Sequence, residues 1–382
     1  MKLKILALTG IRSEYDILYP VLKELQKNFL VGLVVTGAHL KKKFGLTINE
    51  IIKDKMKIIA KIDSLENGNK LYHRAIGISK QVKNLIKISI RFKPKYFLVV
   101  GDREEAIVTA IVATYLQIPL IHIGGGDRVV GNIDDHVRHA VSKLAHLHFV
   151  NNIESKKRLL KMGEQNFRVF NVGNPGIDRF RTEPKINLDK LSIKLNFKIK
   201  KNEKFLILIL HPLSSEYKDS GKQMLITLNA LKKLNIKTFI IFPNSDIGSE
   251  KIIKKINSLK HKNFCVKKNI PRNIFINLLR YSSCLVGNSS LGIIESPYLK
   301  LPVVNIGNRQ KKRFSQDNVI FSTFNEKMII KSIKKCLFDK KFKKKLIFLK
   351  NPYGNGYASK KILKILNTIK MDNKFLLKDI KY

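Results

Sequence analysis

At 382 residues the chain is longer than one ordinary core and suits two domains. An apolar content of 44% excludes disorder over most of its length, and no apolar run reaches the roughly 18 residues needed to span a bilayer. The formal charge of +45 is mostly lysine set among Ile and Asn, with neither interleaved aromatics nor an arginine stripe, so specific nucleic acid and membrane are not the expected partners.

That charge reads as a solvated lysine surface with a mild attraction for nucleotide phosphates. Cys265, Cys284 and Cys336 fall in no CxxC or CxxH pattern, so neither a disulfide framework nor a zinc site is expected, and a reducing cytoplasm fits. The opening MKLKILALTG has too short an apolar run for a secretory signal and predicts a first strand over 4–8. A helix over 14–26, a strand over 30–35, a short helix over 48–53 and a strand over 58–62 follow. A long helix over 71–92, a strand over 96–100, a helix over 104–116 and the strand IPLIHI come next. A helix bearing Asp134 to His139, a strand over 147–150 and a helix over 154–162 complete the first half. Such alternation predicts βαβ units and a mostly parallel sheet, with ligands beyond the carboxyl ends of the strands. Gly10-Ile11-Arg12, Gly37-Ala38-His39, Gly101-Asp102-Arg103 and Gly124–Asp127 all fall at such ends. They should converge on one rim.

The Gly, Asn and Pro residues of VFNVGNPGIDRF predict a turn, and the lysine-rich run to Lys204 a hinge. The alternation then restarts, with strands over 205–210, 237–242, 264–266, 283–286 and 303–306. Helices are predicted over 222–234, 249–259, 273–281 and 290–299, then a basic helical segment over 331–345 and a last helix over 362–370. The expected fold class is α/β: two Rossmann-like domains with a central cleft. The first domain is 1–180, the second 200–360, and 361–382 a C-terminal tail.

Between Gly101 and His148 a glycine loop stands beside four ionisable groups on two adjacent helix faces: Asp134 opposite Arg138, and Asp135 opposite His139. Gly101-Asp102-Arg103 joins a carboxylate to a guanidinium at a buried strand end, which is costly without a ligand or partners. In TGIRSEYD, Arg12 can reach a diphosphate bidentately, or is an ordinary surface arginine. In GNSSLGIIES, Ser289 and Ser290 are expected to cap a helix and leave N–H groups for a phosphate, while Glu295 further along suits ribose hydroxyls. Ordinary capping explains the serines but not the acidic residue. His211 in LILHPLSSE, Asn244 and Asp246 in FPNSDIGSE, and Arg309 in GNRQKKRF each follow a strand, where a turn, a cap or a solvated loop is the plain alternative.

Taken in order, these motifs resemble the hydrolysing UDP-N-acetylglucosamine 2-epimerases, which feed sialic acid and related nonulosonic acid synthesis. The resemblance covers residues 3–318. It implies a glycosyltransferase-B type fold with the active site between the domains, no cofactor, no metal, and a homo-oligomer (dimer or tetramer). Asp102 and Asp134 match the family's catalytic carboxylates, and His211 its histidine near the leaving phosphate. Arg12, Arg103, Asn244, Ser289, Ser290, Glu295 and Arg309 would hold UDP, with Asp135, Arg138 and His139 in support. The implied reaction eliminates UDP to a 2-acetamidoglucal, then hydrates it with inversion at C2 to N-acetylmannosamine. One departure stands out. Members often carry an acidic residue or histidine where this chain has Gly124; either Asp127, the nearest acidic residue further along the loop, takes that role or the hydration step differs. The same gap admits a bulkier sugar, UDP-2,4-diacetamido-2,4,6-trideoxyglucose, on the way to legionaminic-type acids. A glycosyltransferase of the same fold, and a nucleotide or polyanion binder without turnover, are the competing readings.

Overall fold

The computed structural model describes residues 2–66, 71–129, 133–369 and 373–379. Gly131 and Asn132 of the aspartate motif, and Lys370 at the expected end of the last helix, lie outside the described residues. Among the described residues no helix is long and apolar enough to cross a membrane.

Short apolar runs separated by helices leave each strand to pair in parallel, the central ones burying both faces. Seven do so in the first sheet: β1 (Lys4–Thr9), β2 (Leu30–Thr36), β3 (Ile58–Ile62), β4 (Tyr96–Val100), β5 (Leu120–Ile123), β6 (Leu147–Val150) and β7 (Val169–Asn171). Their order is β3-β2-β1-β4-β5-β6-β7, every neighbouring pair parallel. Alternate residues face opposite ways. Ile5, Leu33, Leu98 and Ile121 enter one core, while Leu6, Val34, Phe97 and Leu120 enter the other.

The second sheet holds β8 (Phe205–Ile209), β9 (Lys237–Ile241), β10 (Phe264–Lys267), β11 (Cys284–Gly287), β12 (Val303–Ile306) and β13 (Val319–Ser322). Its order is β10-β9-β8-β11-β12-β13, again parallel throughout. Both sheets are therefore Rossmann-like. Strand order reverses once in each, between β1 and β4 and between β8 and β11, and the crevice at such a reversal is where open α/β sheets bind ligands.

The chain divides into two compact units: Met1–Arg128 with Ile133–Arg181 and Pro352–Tyr382, and a second built mainly of Thr182–Asn351. The sequence put 200–360 in one domain and 361–382 in a separate tail; instead the chain from Pro352 returns to the first unit. The physical reason is an apolar face. Ile362 and Leu366 of the helix Ala358–Thr368 enter the same core as Leu18, Val21 and Leu22 of the helix Arg12–Leu25. Buried Asp178 caps the returning helix, accepting the N–H groups of Ala358 at 3.0 Å and Ser359 at 2.7 Å.

Smaller differences have local causes. The helix after β1 starts at Arg12 rather than Glu14. The basic segment splits into Glu326–Phe338 and Lys340–Ile347, because Asp339 Oδ1 accepts the N–H of Phe342 at 2.9 Å and starts a new helix. The expected hinge contains β7 and the helices Gly176–Thr182 and Leu188–Leu195.

Candidate active site

In the first unit the rim is tied together by one guanidinium. Arg138, on the helix Ile133–Leu144, is only 5% exposed; it binds Asp102 Oδ2 through Nη2 and donates to Gly124 O from Nη1 at 2.8 Å. The turns after β4 and β5 are thereby joined, and one oxygen of Asp102 is fixed, as a planar guanidinium fork allows. His122 supports this from within β5. Its Nε2 donates to Gly101 O at 2.8 Å, and burial drives its pKa down to about 3, so the ring stays neutral.

Asp134 and Asp135 are half-buried in the first turn of the Arg138 helix, where the helix dipole favours negative charge. Asp135 Oδ1 lies 3.9 Å from His139 Nε2, the pairing expected from their spacing. Burial lowers the His139 pKa despite that carboxylate. Asp127 is buried and accepts the N–H of Arg128 through Oδ1 at 2.8 Å. Arg103 is buried and reaches Glu104 at 3.4 Å; Arg12, in the first turn after β1, lies 3.9 Å from Asp16.

In the second unit an asparagine organises the rim. Asn288, just past β11, accepts the His211 N–H through Oδ1 at 2.7 Å and donates to His211 O from Nδ2 at 2.9 Å. Its own carbonyl accepts from Arg309 Nη1 at 3.2 Å and Gln310 Nε2 at 3.1 Å. His211 Nδ1 accepts the backbone N–H of Asn244 at 3.1 Å, which leaves the proton of a neutral ring on Nε2. The Asn244 side chain donates to Asp246 Oδ2 at 2.6 Å. Gly287 makes this approach possible: its φ is +125°, and a Cβ there would stand 2.0 Å from Ile209 O.

The serine motif differs from expectation. Only Leu291–Ile294 is α-helical, followed by a 3₁₀ turn at Ser296–Leu299, and Ser290 at the N-cap makes no side-chain capping bond. The turn is closed instead by the carbonyls of Ser289 and Ser290, which accept the N–H groups of Gly292, Ile293 and Ile294. Glu295 stands half-buried where the α-turn ends rather than inside a longer helix.

Each unit thus gathers its own candidates: Arg12, Asp102, Arg103, Asp127, Asp134, Asp135, Arg138 and His139 in the first, His211, Asn244, Ser289, Ser290, Glu295 and Arg309 in the second. Sequence reasoning passed over Asn288, Gln310, His122, Glu14 and Glu105. Asn288 lies within GNSSLGIIES, and its place between Gly287 and two serines at a strand end is the available signal. Glu105 opens the otherwise apolar run AIVTAIVA, an odd position for a carboxylate.

The family model described as UDP-N-acetylglucosamine 2-epimerase matches residues 23–367. A Legionella pneumophila protein named UDP-N,N′-diacetylbacillosamine 2-epimerase (hydrolyzing) is 34% identical over 380 residues, covering 98% of each chain. A Campylobacter jejuni GDP/UDP-N,N′-diacetylbacillosamine 2-epimerase (hydrolyzing) is 34% identical over 335 residues, 85% of each. Among solved structures, a Neisseria meningitidis UDP-GlcNAc 2-epimerase bound to UDP-GlcNAc superimposes with a TM-score of 0.81 at 22% identity, covering 96% of this chain and 100% of that one.

Proposed function

We infer the function from the family to which the chain belongs, the UDP-N-acetylglucosamine 2-epimerases, and propose that it is a hydrolysing 2-epimerase of a UDP-linked 2,4-diacetamido-2,4,6-trideoxy sugar. The observation that carries this reading is the Legionella relative, alike over nearly the whole of both chains and named for that sugar and for hydrolysis. UDP-N-acetylglucosamine, the substrate first expected from the sequence, gives way to the sugar held there as the alternative. Gly124 supports the change. A Cβ at that position would meet nothing closer than Asn151 Nδ2 at 3.4 Å, and the missing side chain is consistent with a site that takes a second acetamido group.

In this reading, a carboxylate takes the C2 proton as the C1–O bond to UDP breaks, giving a 1,2-unsaturated sugar. Water then adds hydroxyl to C1, and a proton returns to C2 on the opposite face. Asp102, Asp134 and Asp127 are the carboxylates assigned to these proton transfers, with Arg138 orienting Asp102. His211 donates from Nε2 to the departing diphosphate. Ser289, Ser290, Glu295, Asn244 and Arg309 hold UDP, while Arg12 and Arg103 offset its charge.

Incubation with the diacetamido UDP-sugar in heavy water tests the proposal. The expected products are UDP and the free manno-configured sugar, deuterated at C2. Turnover of UDP-N-acetylglucosamine alone would restore the simpler sugar. Sugar transfer to an acceptor without deuterium at C2 would favour a glycosyltransferase, and no turnover of any UDP- or GDP-HexNAc would reject the enzyme reading.

A further inference from the structure

We propose that Glu14 and Glu105 share one proton at the strand-order reversal of the first sheet, and that this proton holds the turn carrying Arg12 in its nucleotide-sugar-binding shape. The second clause rests on the function proposed above; the first does not.

The two carboxyls approach the same glycine from different helices. Glu14 folds back from the helix after β1, and its Oε2 accepts the N–H of Gly10 at 2.8 Å and of Ile11 at 3.4 Å. Glu105, in the first turn of the helix after β4, lies against Gly10 so closely that a Cβ there would stand 1.9 Å from its Oε1. The same oxygen would be 3.2 Å from a Cβ at Gly37. Glu14 and Glu105 are 6% and 5% exposed, yet Glu14 Oε1 and Glu105 Oε2 have no hydrogen-bond partner among the described residues. A buried carboxylate oxygen without a donor is costly. Protonating one carboxyl turns one of its oxygens into a donor for a carboxylate oxygen beside it, which is the chemistry two such neighbours at one glycine call for.

The surrounding charges ask for the same proton. From the start of the Glu105 helix Arg103 and Glu104 face the pair, and Arg74 arrives from the helix Leu71–Phe92, 2.8 Å from Glu104. After β2 stands His39, whose ring nitrogens meet Thr9 Oγ1 at 3.2 Å and Thr47 Oγ1 at 2.7 Å, and which burial keeps neutral with a pKa lowered to about 4. Three carboxyls (Glu14, Glu104, Glu105) thus face two guanidiniums (Arg74, Arg103), and one proton brings the cluster to neutrality. Burial, then the charge of Glu105, raises Glu14 well above the usual carboxylate range; burial, then the charge of Glu104, raises Glu105 to about 7. Losing the proton would leave adjacent buried anions pressing on the Gly10 backbone, two residues before Arg12. Glu105 is on this argument a positioning residue.

The test uses the full chain with ¹³C-labelled glutamate carboxyls. In the free protein, a Glu14/Glu105 titration near neutrality is expected, vanishing in Glu105→Gln, whose amide donates to Glu14 at every pH. The KM for the UDP-sugar should rise about fivefold between roughly pH 6 and pH 8.5 in the parent and stay flat in Glu105→Gln. Glu14→Gln is the reciprocal variant should Glu105→Gln not fold, with the same expectation. Both carboxyls titrating in the ordinary acidic range would overturn the shared proton, and this readout needs no substrate. A shared proton found by titration with an unresponsive KM would overturn the link to Arg12.

Discussion

Asn288 bonds to both backbone polar groups of His211 and offers its carbonyl to Arg309 and Gln310. Asn288→Asp keeps the acceptor for the His211 N–H but loses the donor and adds a negative charge beside residues assigned to a diphosphate. UDP affinity, measured by calorimetry, is expected to fall about tenfold or more. Asp134→Asn should behave differently: turnover is lost while UDP binding stays within a few fold, because the change removes the proton acceptor assigned to this position and keeps the size of the side chain. Equal loss of binding in both variants would reverse the roles assigned to the two units. Glu105 also bears on stability. Its folded pKa lies above the unfolded value, so its contribution is complete below about pH 4.5 and is lost as pH rises through about 7. Thermal melting of Glu105→Gln should match the parent near pH 5 and exceed it above neutrality.

At the scale of elements, short edge strands and long-range ties were the hardest features to read. The central strands β1, β2, β4 and β8 were legible because buried parallel strands are unbroken apolar runs between helical periods. β7 was hidden, since Val169-Phe170-Asn171 is three residues long and leads into Gly, Asn and Pro. β13 was hidden too, a four-residue edge strand with two half-buried positions and one exposed. The Asp135–His139 pair followed from helical spacing, whereas the Arg138–Asp102 bond joins residues 36 apart, which no local period reveals. A further tie holds the other end of the Arg138 helix. Lys378 Nζ donates to the carbonyls of Ser142 at 3.1 Å and Ala145 at 2.8 Å, and also to that of Lys143, while meeting Glu164 at 2.8 Å. A cation on the last carbonyls of a helix suits its dipole. Lys378→Met is expected to lower stability by about 2 kcal/mol and to speed amide exchange in the Ile133–Leu144 helix. Burial alone would raise the Glu164 pKa, but His148 and Lys378 outweigh it and hold the group at about 2. The stability it contributes is therefore intact above about pH 4.5 and lost as pH falls toward 2.

For the whole molecule, the α/β alternation and the two Rossmann-like sheets were readable from the sequence, while the return of the chain to its first unit was not. Ile362 and Leu366 announce an amphipathic helix, but nothing local says which core receives it. Deleting residues 352–382 should lower the melting transition of the first unit and leave that of the second nearly unchanged, as calorimetry with two resolved transitions would record. A uniform loss in both would contradict the division seen here.

The return of the chain has a consequence for synthesis. The first unit is begun before the second and finished after it, so while Thr182–Asn351 is being translated a large part of the earlier core waits without its closing helix. Domains that emerge whole can fold as they leave the ribosome; this one must keep an unsealed apolar flank through the making of its neighbour. A nonsense change late in the gene would spare the second unit and strand the first, the one that carries the aspartates.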